Sequence, residues 1–131
     1  MKIRVYYEDT DAAGVVYHSN YLNYFERART EYLRERGCSV AELAEEGSIF
    51  PVVRMEIDFK APARHDDLLL ITSIPVRVGG SSFVLRQQVL RDSDGTLLVE
   101  GLVTLACVSP ALKPRRIPAE VRKILSTELS G

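Results

Sequence analysis

Three polar residues with catalytic potential lie close together near the start of the chain. Asp9 and Asp11 precede the small-residue run Ala12-Ala13-Gly14, and His18 follows it at the start of a segment with helical spacing. The first turn of a helix has unpaired backbone N–H groups and a partial positive charge, so it can hold a developing oxyanion. The small residues let a substrate come close to a neighbouring carboxylate. The spacing therefore indicates a site for general-base or nucleophilic chemistry.

Asp11 is the first candidate for the reactive carboxylate, although an aspartate also commonly ends a strand or caps a turn. His18 is the second candidate, but a histidine at this place can equally bond at a helix start or simply be exposed. Together with Asp9 and Glu26, these residues also suggest an oxygen-and-imidazole metal site. No second histidine stands at ligand spacing, since His65 is alone in a later loop. We therefore predict that no metal is bound.

A strand and a long helix are the elements expected to position these residues. Lys2 to Thr10 alternates like a strand, with one face formed by Ile3, Val5 and Tyr7. Ser19 or Asn20 is a suitable N-cap for the helix, and Gly37 is a natural stop. Apolar side chains recur along this helix at Leu22, Phe25, Ala28 and Tyr32, with Tyr21, Tyr24 and Leu33 beside them.

The second half of the chain changes to the period of strands. Strands are expected over 49–60, 68–78, 82–91 and 97–108, after a short helical turn over 40–46, and a terminal helix is expected over 117–129. Pro75 predicts a bulge or an unpaired stretch, and Asp94-Gly95 predicts a hairpin turn. Short turns favour antiparallel neighbours. The sequence thus predicts one α+β domain over 1–131, in which a five-stranded antiparallel sheet wraps around one long central helix.

Composition argues against several functions. The net charge of −1 gives no general attraction to nucleic acid or to an anionic membrane. No apolar run approaches the ~20 residues of a membrane helix, so no stable membrane insertion is expected. The first residues have the pattern of a strand rather than of a signal peptide. The two cysteines, Cys38 and Cys107, lack the spacing of a disulfide framework or of a metal site. We therefore predict a cytoplasmic protein.

Two basic pairs are candidates for holding a polyanion. Lys60 and Arg64 flank the loop Ala61-Pro62-Ala63, and Arg115 and Arg116 follow the last strand. Such side chains can hold phosphate groups, but solvated basic turns have the same appearance in sequence. No phosphate-binding Gly-rich loop is present in the sequence.

The segment YYEDTDAAGVVYHSNYLNYFERAR at 6–29 resembles the signature of the hotdog-fold acyl-CoA thioesterases. More narrowly, it is similar to the 4-hydroxybenzoyl-CoA thioesterase family and its YbgC-like branch, which is associated with the tol-pal system. Looser agreement at 59–63 and 116–118 extends the likeness over nearly the whole chain. The resemblance implies the hotdog fold, pairing into homodimers through the sheets and often assembly into homotetramers.

The resemblance also implies an activity, the hydrolysis of acyl-CoA thioesters without a cofactor. The catalytic aspartate of the family falls on Asp11, and its backbone oxyanion donor falls on or near His18. In the YbgC-like branch a tyrosine and a histidine are proposed to assist catalysis, and these fall on Tyr7 and His18. Coenzyme A lies at a subunit boundary in this family, and variable basic residues hold its phosphates. The candidates for that role are Lys60, Arg64, Arg115 and Arg116.

Two other functions stay open. A hotdog dehydratase acting on acyl-carrier-protein substrates normally uses a histidine with a carboxylate from its partner, and the order Asp-x-x-Gly-x-x-x-His fits it poorly. A non-catalytic module that binds acyl-CoA or a partner protein is the other, because fold does not fix function. The acyl group is also open, since several aromatic residues suit either a substrate pocket or an ordinary core: Tyr17, Tyr21, Phe50 and Phe83.

Overall fold

The computed structural model describes residues 1–129, which form five strands and three α-helices. In chain order these are β1 (Lys2–Arg4), α1 (Asn20–Glu35), α2 (Val40–Glu45), β2 (Val52–Phe59), β3 (Leu68–Val78), β4 (Ser82–Arg91), β5 (Leu97–Ala106) and α3 (Ala119–Thr127). Every strand pair is antiparallel, and the strands lie in the order β1-β3-β4-β5-β2. The predicted α+β class and the five-stranded antiparallel sheet are confirmed.

The first strand is shorter than the sequence pattern predicted. β1 has three residues, and the chain then forms a 3-10 turn over Tyr7–Asp9 instead of continuing as a strand to Thr10. Oδ2 of Asp9 accepts the N–H of Tyr6 at 2.9 Å, and the Thr10 hydroxyl donates to the carbonyl of Tyr7 at 2.7 Å. Such local side-chain bonds compete with strand pairing. The turn leaves Tyr7 80% exposed, so the prediction that it shares a strand face is wrong.

Helix α1 forms where it was predicted. It begins at Asn20 with Ser19 at the N-cap, although the Ser19 side chain makes no capping hydrogen bond. Gly37 follows the helix with φ of 89°, a left-handed conformation that suits glycine. Leu22 is 43% exposed, in contrast to the prediction. The buried face consists of Tyr21, Tyr24, Phe25, Ala28, Tyr32 and Leu33.

A buried glutamine fixes the middle of α1 to the sheet. Nε2 of Gln87 on β4 donates to the carbonyl of Phe25 at 3.0 Å and to the hydroxyl of Ser73 at 2.9 Å. Nη1 of Arg29 donates to Oε1 of the same glutamine at 3.1 Å. Because a buried amide is costly to leave unpaired, this network sets the position of the helix over β3 and β4.

Strands β3 and β4 have their predicted ranges, whereas β2 spans 52–59 rather than the predicted 49–60. The register of β3 against β4 shifts between Pro75 and Arg77, which confirms the bulge expected there. The β5 strand ends at Ala106 rather than at residue 108, and α3 begins after Pro118 rather than at residue 117. Alternate residues of β3 that pack inward include Leu69 and Ile71, both buried.

No helix in the described part of the chain is both long enough and apolar enough to cross a membrane. The single-domain assignment over 1–131 and the cytoplasmic location stay predictions.

Candidate active site

A short loop between the 3-10 turn and α1 carries the candidate carboxylate. Thr10 and Val16 pair as an isolated antiparallel bridge, which closes the loop at its base. Just outside this bridge, the carbonyl of Asp9 accepts two hydrogen bonds, from the N–H of Tyr17 at 3.0 Å and from Nδ2 of Asn20 at 2.8 Å. The loop is therefore tied directly to the first residue of α1.

Asp11 lies at the start of this loop, and its side chain is exposed. Oδ1 accepts the N–H of Ala13 at 2.8 Å, while the N–H of Asp11 donates to the carbonyl of Val15 at 2.9 Å. Gly14 has φ of 78°, which the tight turn requires and which most residues rarely adopt. Within residues 1–129, no donor contacts Oδ2, so that oxygen is available to a water molecule or a carbonyl carbon.

The backbone at the start of α1 has unused donors. The N–H groups of Asn20 and Tyr21 donate to the carbonyls of Tyr17 and His18 at 2.9 and 3.3 Å. In the described part of the chain, no acceptor lies in hydrogen-bonding position for the N–H groups of His18 and Ser19. These two amides carry the positive end of the helix dipole and can bind an oxyanion.

The two residues that the resemblance suggests as assisting groups, Tyr7 and His18, have different neighbours. The ring of His18 lies 4.4 Å from that of Tyr17 and 6.4 Å from that of Phe59, centroid to centroid. The ring of Tyr7 packs edge-on against His65 at 6.0 Å. Phe59 and His65 were not singled out as site residues by sequence, although the Phe59–Ala63 stretch carried part of the resemblance.

The loop after β2 borders the same region. The carbonyl of Ala63 accepts the N–H of Val16 at 2.8 Å, and its N–H donates to the hydroxyl of Tyr21 at 3.2 Å. Burial raises the pKa of that tyrosine, so its hydroxyl stays neutral. Arg64 pairs with Val15 as an isolated bridge, and both Lys60 and Arg64 are exposed. Arg64 of this predicted basic pair thus lies on a segment that is bridged to the loop of the candidate carboxylate, and Lys60 lies at the start of the same segment.

The other basic pair lies at the far end of β5. Phe59 is in register with Val99, whereas the N–H of Arg115 bonds the carbonyl of Cys107. Val99 lies on β5 and Cys107 directly follows its last residue, so at ~3.3 Å per residue these two points are about 26 Å apart. Nη1 of Arg115 donates to the carbonyl of Gly47 at 2.7 Å, while the neighbouring Arg116 is exposed. A single chain therefore does not bring the two basic pairs together.

Neither a metal site nor a cysteine nucleophile has structural support in the described part of the chain. Among residues 1–129, no three His, Cys, Asp or Glu side chains are grouped closely enough to hold a metal ion. Cys38 and Cys107 are buried free thiols, and burial raises the pKa of each. A thiolate nucleophile would need the opposite shift.

A small apolar cavity of about 100 Å³ lies under the middle of α1. Phe50 and Phe83 line it with their rings 5.8 Å apart, and Arg29 and Thr30 contribute polar groups. Tyr17 lies by His18 at the helix start instead. The four aromatic residues considered for an acyl pocket are thus divided between the start of α1 and the cavity under its middle.

The start of α1 presents free backbone amides close to a turn that carries an aspartate, and this one long helix packs against an antiparallel sheet. This is the arrangement of a hotdog thioesterase. Residues 13–98 match the Thioesterase superfamily. The chain belongs to this superfamily and, within it, to the YbgC-like branch.

Two curated relatives and one solved structure carry this assignment. The chain is 44% identical over 120 residues to the acyl-CoA thioester hydrolase YbgC of Escherichia coli O6:H1, covering 91% of this chain and 89% of that protein. It is 43% identical over 122 residues to the acyl-CoA thioesterase YbgC of Haemophilus influenzae, covering 92% and 88%. The crystal structure of a probable thioesterase from Bartonella henselae is 41% identical with a TM-score of 0.85, covering 90% of this chain and 97% of that one. The predicted family, the hotdog fold and the classification as a thioester hydrolase are confirmed.

Proposed function

We propose that the protein hydrolyses acyl-CoA thioesters to a free acid and coenzyme A. The observation that carries this proposal is that the loop carrying the Asp11 carboxylate is bonded to the start of α1, where the N–H groups of His18 and Ser19 have no acceptor within residues 1–129. The curated YbgC relatives, which are named for this reaction, support the substrate class. No cofactor takes part in the proposed reaction.

The free amides at the start of α1 would bind the thioester oxygen. Attack on the carbonyl carbon places negative charge on that oxygen, and the helix dipole adds to the two N–H donors. One such donor typically lowers the barrier by roughly 3 kcal/mol. The tetrahedral intermediate then collapses, the C–S bond breaks, and coenzyme A leaves as a thiolate that takes up a proton.

Asp11 would supply the nucleophilic part of the reaction in one of two ways. As a general base, its free Oδ2 takes a proton from water, and the hydroxide adds to the carbonyl carbon. As a nucleophile, the same oxygen forms an anhydride with the acyl group, and water hydrolyses this anhydride in a second step. Both routes use the same carboxylate and the same amide donors.

Lys60 and Arg64 are the better placed of the proposed coenzyme A ligands. Both are exposed on the segment after β2, which is bridged to the Asp11 loop through Arg64 and Val15, and no acceptor within residues 1–129 bonds either side-chain cation. Phosphate groups are held well by such charges. Arg115 and Arg116 lie at the opposite end of β5. They could therefore hold only a molecule that is bound elsewhere, or one that is bound at the site of another copy of the chain.

We infer that the working form is a homodimer or a homotetramer. In the described part of the chain β2 pairs only with β5, which leaves its other edge open. Val53 and Phe59 on this strand are 60% and 54% exposed. An open edge with apolar side chains favours pairing with another strand. Because the Phe59 ring faces His18, a second copy at this edge would border the site.

The test is release of free thiol from a panel of acyl-CoAs of different length, with and without an aromatic ring. We expect turnover by the wild type and a loss of at least ~10²-fold in kcat for Asp11→Asn. Asp92→Asn, an exposed aspartate in the β4–β5 turn, is the matched control and should retain full activity. Full kcat in Asp11→Asn would remove Asp11 from the mechanism.

The same panel distinguishes the alternatives. Water loss from hydroxyacyl substrates without thiol release would favour a dehydratase. Tight binding of acyl-CoA without any turnover would favour a non-catalytic module.

A further inference from the structure

We propose that Asn20 is a positioning residue for thioester hydrolysis, because its side chain holds the Asp11 loop against the oxyanion donors at the start of α1. This inference rests on the proposed function. Asn20 itself is the first residue of α1 and was considered from sequence only as a helix cap.

The bond made by Asn20 joins the two halves of the site. Its Nδ2 donates to the carbonyl of Asp9 at 2.8 Å, across eleven positions of chain. Asp9 is two residues before Asp11, and Asn20 is two residues after His18. This partly buried side-chain hydrogen bond therefore connects the segment that carries the carboxylate with the helix start that carries the amide donors.

No other side chain in the first turn of α1 makes this connection. Within residues 1–129, the Ser19 side chain forms no capping bond, and the Tyr21 hydroxyl bonds the separate loop at Ala63. The remaining link at this point is the backbone bond from Tyr17 to the same carbonyl of Asp9. The carbonyl of Tyr17 accepts the N–H of Asn20 at 2.9 Å, so this backbone link reaches the helix only through a second bond, whereas the Asn20 side chain joins Asp9 to α1 directly.

The consequence is a specific kinetic effect. If the loop moves relative to α1, the carboxylate and the amides no longer meet the same carbonyl carbon, and a misplacement of about 1 Å can cost ~10²-fold in rate. The basic residues proposed to hold coenzyme A, Lys60 and Arg64, lie on another loop. Loss of the Asn20 bond should therefore lower kcat and leave KM nearly unchanged.

The test compares Asn20→Ala and Asn20→Asp with the wild type on an acyl-CoA that the wild type hydrolyses. Asn20→Asp keeps the shape but replaces the donor by an oxygen that repels the Asp9 carbonyl, while a carboxylate at a helix N-terminus should preserve stability. We expect kcat to fall by ~10-fold or more in both variants, with KM within ~2-fold and the Tm of Asn20→Asp unchanged. Asn23→Ala removes an exposed side chain from the same helix and should have wild-type kinetics.

A double variant separates positioning from general damage. If Asn20 acts through Asp11, then Asn20→Ala should cause less than ~2-fold further loss in an Asp11→Asn background, because the effects of residues that act as a unit do not add. Wild-type kcat in both Asn20 variants, or a full additive loss in the double variant, would overturn the inference. If the wild type released no thiol from any acyl-CoA, the proposed function would fail first, and this inference with it.

Discussion

Phe25 on α1 lies directly over Gly101 on β5. A Cβ atom at position 101 would come within 2.9 Å of Cε2 and 3.4 Å of Cζ of the Phe25 ring, which is fully buried. The absence of a side chain at this point lets the helix approach the sheet closely. The position of the helix start, and so of the amides of His18 and Ser19, depends in part on this contact.

Substitution of Gly101 by alanine should therefore destabilise the fold. The Phe25 ring is fully buried and would have to shift, so overpacking should cost about 1–3 kcal/mol in the free energy of unfolding. Urea denaturation measures this difference. Gly80→Ala is the matched control, because a Cβ at position 80 meets nothing within 4 Å. Equal stability of the two variants would show that the helix can shift away from the sheet at no cost.

The backbone and the side chain of His18 can be tested separately. His18→Ala keeps the N–H, so if the amide is the oxyanion donor we expect less than ~10-fold loss in kcat. His18→Pro removes the N–H, and loss of one oxyanion donor typically costs ~10²–10³-fold in kcat. Thermal unfolding of both variants checks that α1 is retained. A loss as large in His18→Ala as in His18→Pro would assign the catalytic role to the imidazole.

Binding of coenzyme A should depend on the basic pair beside the site. We expect Lys60→Gln combined with Arg64→Gln to raise KM by roughly 10-fold at low salt, because charge-assisted bonds to phosphate are lost. The effect should shrink as salt screens the charges. Arg116→Gln, an exposed cation at the far end of β5, is the control. A larger KM effect in Arg116→Gln would mean that the phosphates lie at that end instead.

The contact between α1 and α3 should make stability depend on pH. The Glu128 carboxylate accepts hydrogen bonds from Nη2 of Arg36 at 2.8 Å, from Nε of the same arginine, and from the hydroxyl of Tyr32 at 2.7 Å. The bonds from Arg36, followed by the bond from Tyr32, lower the pKa of Glu128 below its ordinary value. Its stabilising effect is thus present above the unfolded pKa and is lost as the pH falls through the folded pKa.

Glu128→Gln should accordingly destabilise the protein by about 0.5–1 kcal/mol at neutral pH, a small value because the pair is partly exposed. The difference from the wild type should shrink below about pH 4, where the unfolded carboxyl group is protonated. Urea denaturation at neutral and acid pH measures both values. Glu45→Gln, an exposed residue on α2, should show no such dependence. A constant difference at all pH values would contradict the assignment.

Periodicity in the sequence was sufficient for the main architecture. The alternation in β4, the helical spacing from Tyr21 to Leu33 and the break at Pro75 each follow from local geometry, so a single segment contains the information. The signature at 6–29 likewise identified the family, because it combines a carboxylate, small residues and a helix start in one continuous stretch.

The exact end of the first strand could not be predicted in this way. Alternation continued to Tyr7, but the Asp9 side chain bonds the N–H of Tyr6 and turns the chain earlier. A pattern of apolar residues does not report such local competition between side-chain and strand bonds.

The sequence by itself determined the fold class and the family, since these depend on spacing within short segments, and it named Asp11 and His18 as candidate site residues. Only the tertiary structure decided which distant residues border that segment: Arg64 comes beside it through the bridge to Val15, whereas Arg115 is held at Gly47 at the other end of the sheet. The tertiary structure also showed that the Asn20 side chain bonds the Asp9 carbonyl. The physical reason is that such contacts join residues far apart in the chain, and their formation depends on the packing of the whole sheet and helix rather than on any local pattern.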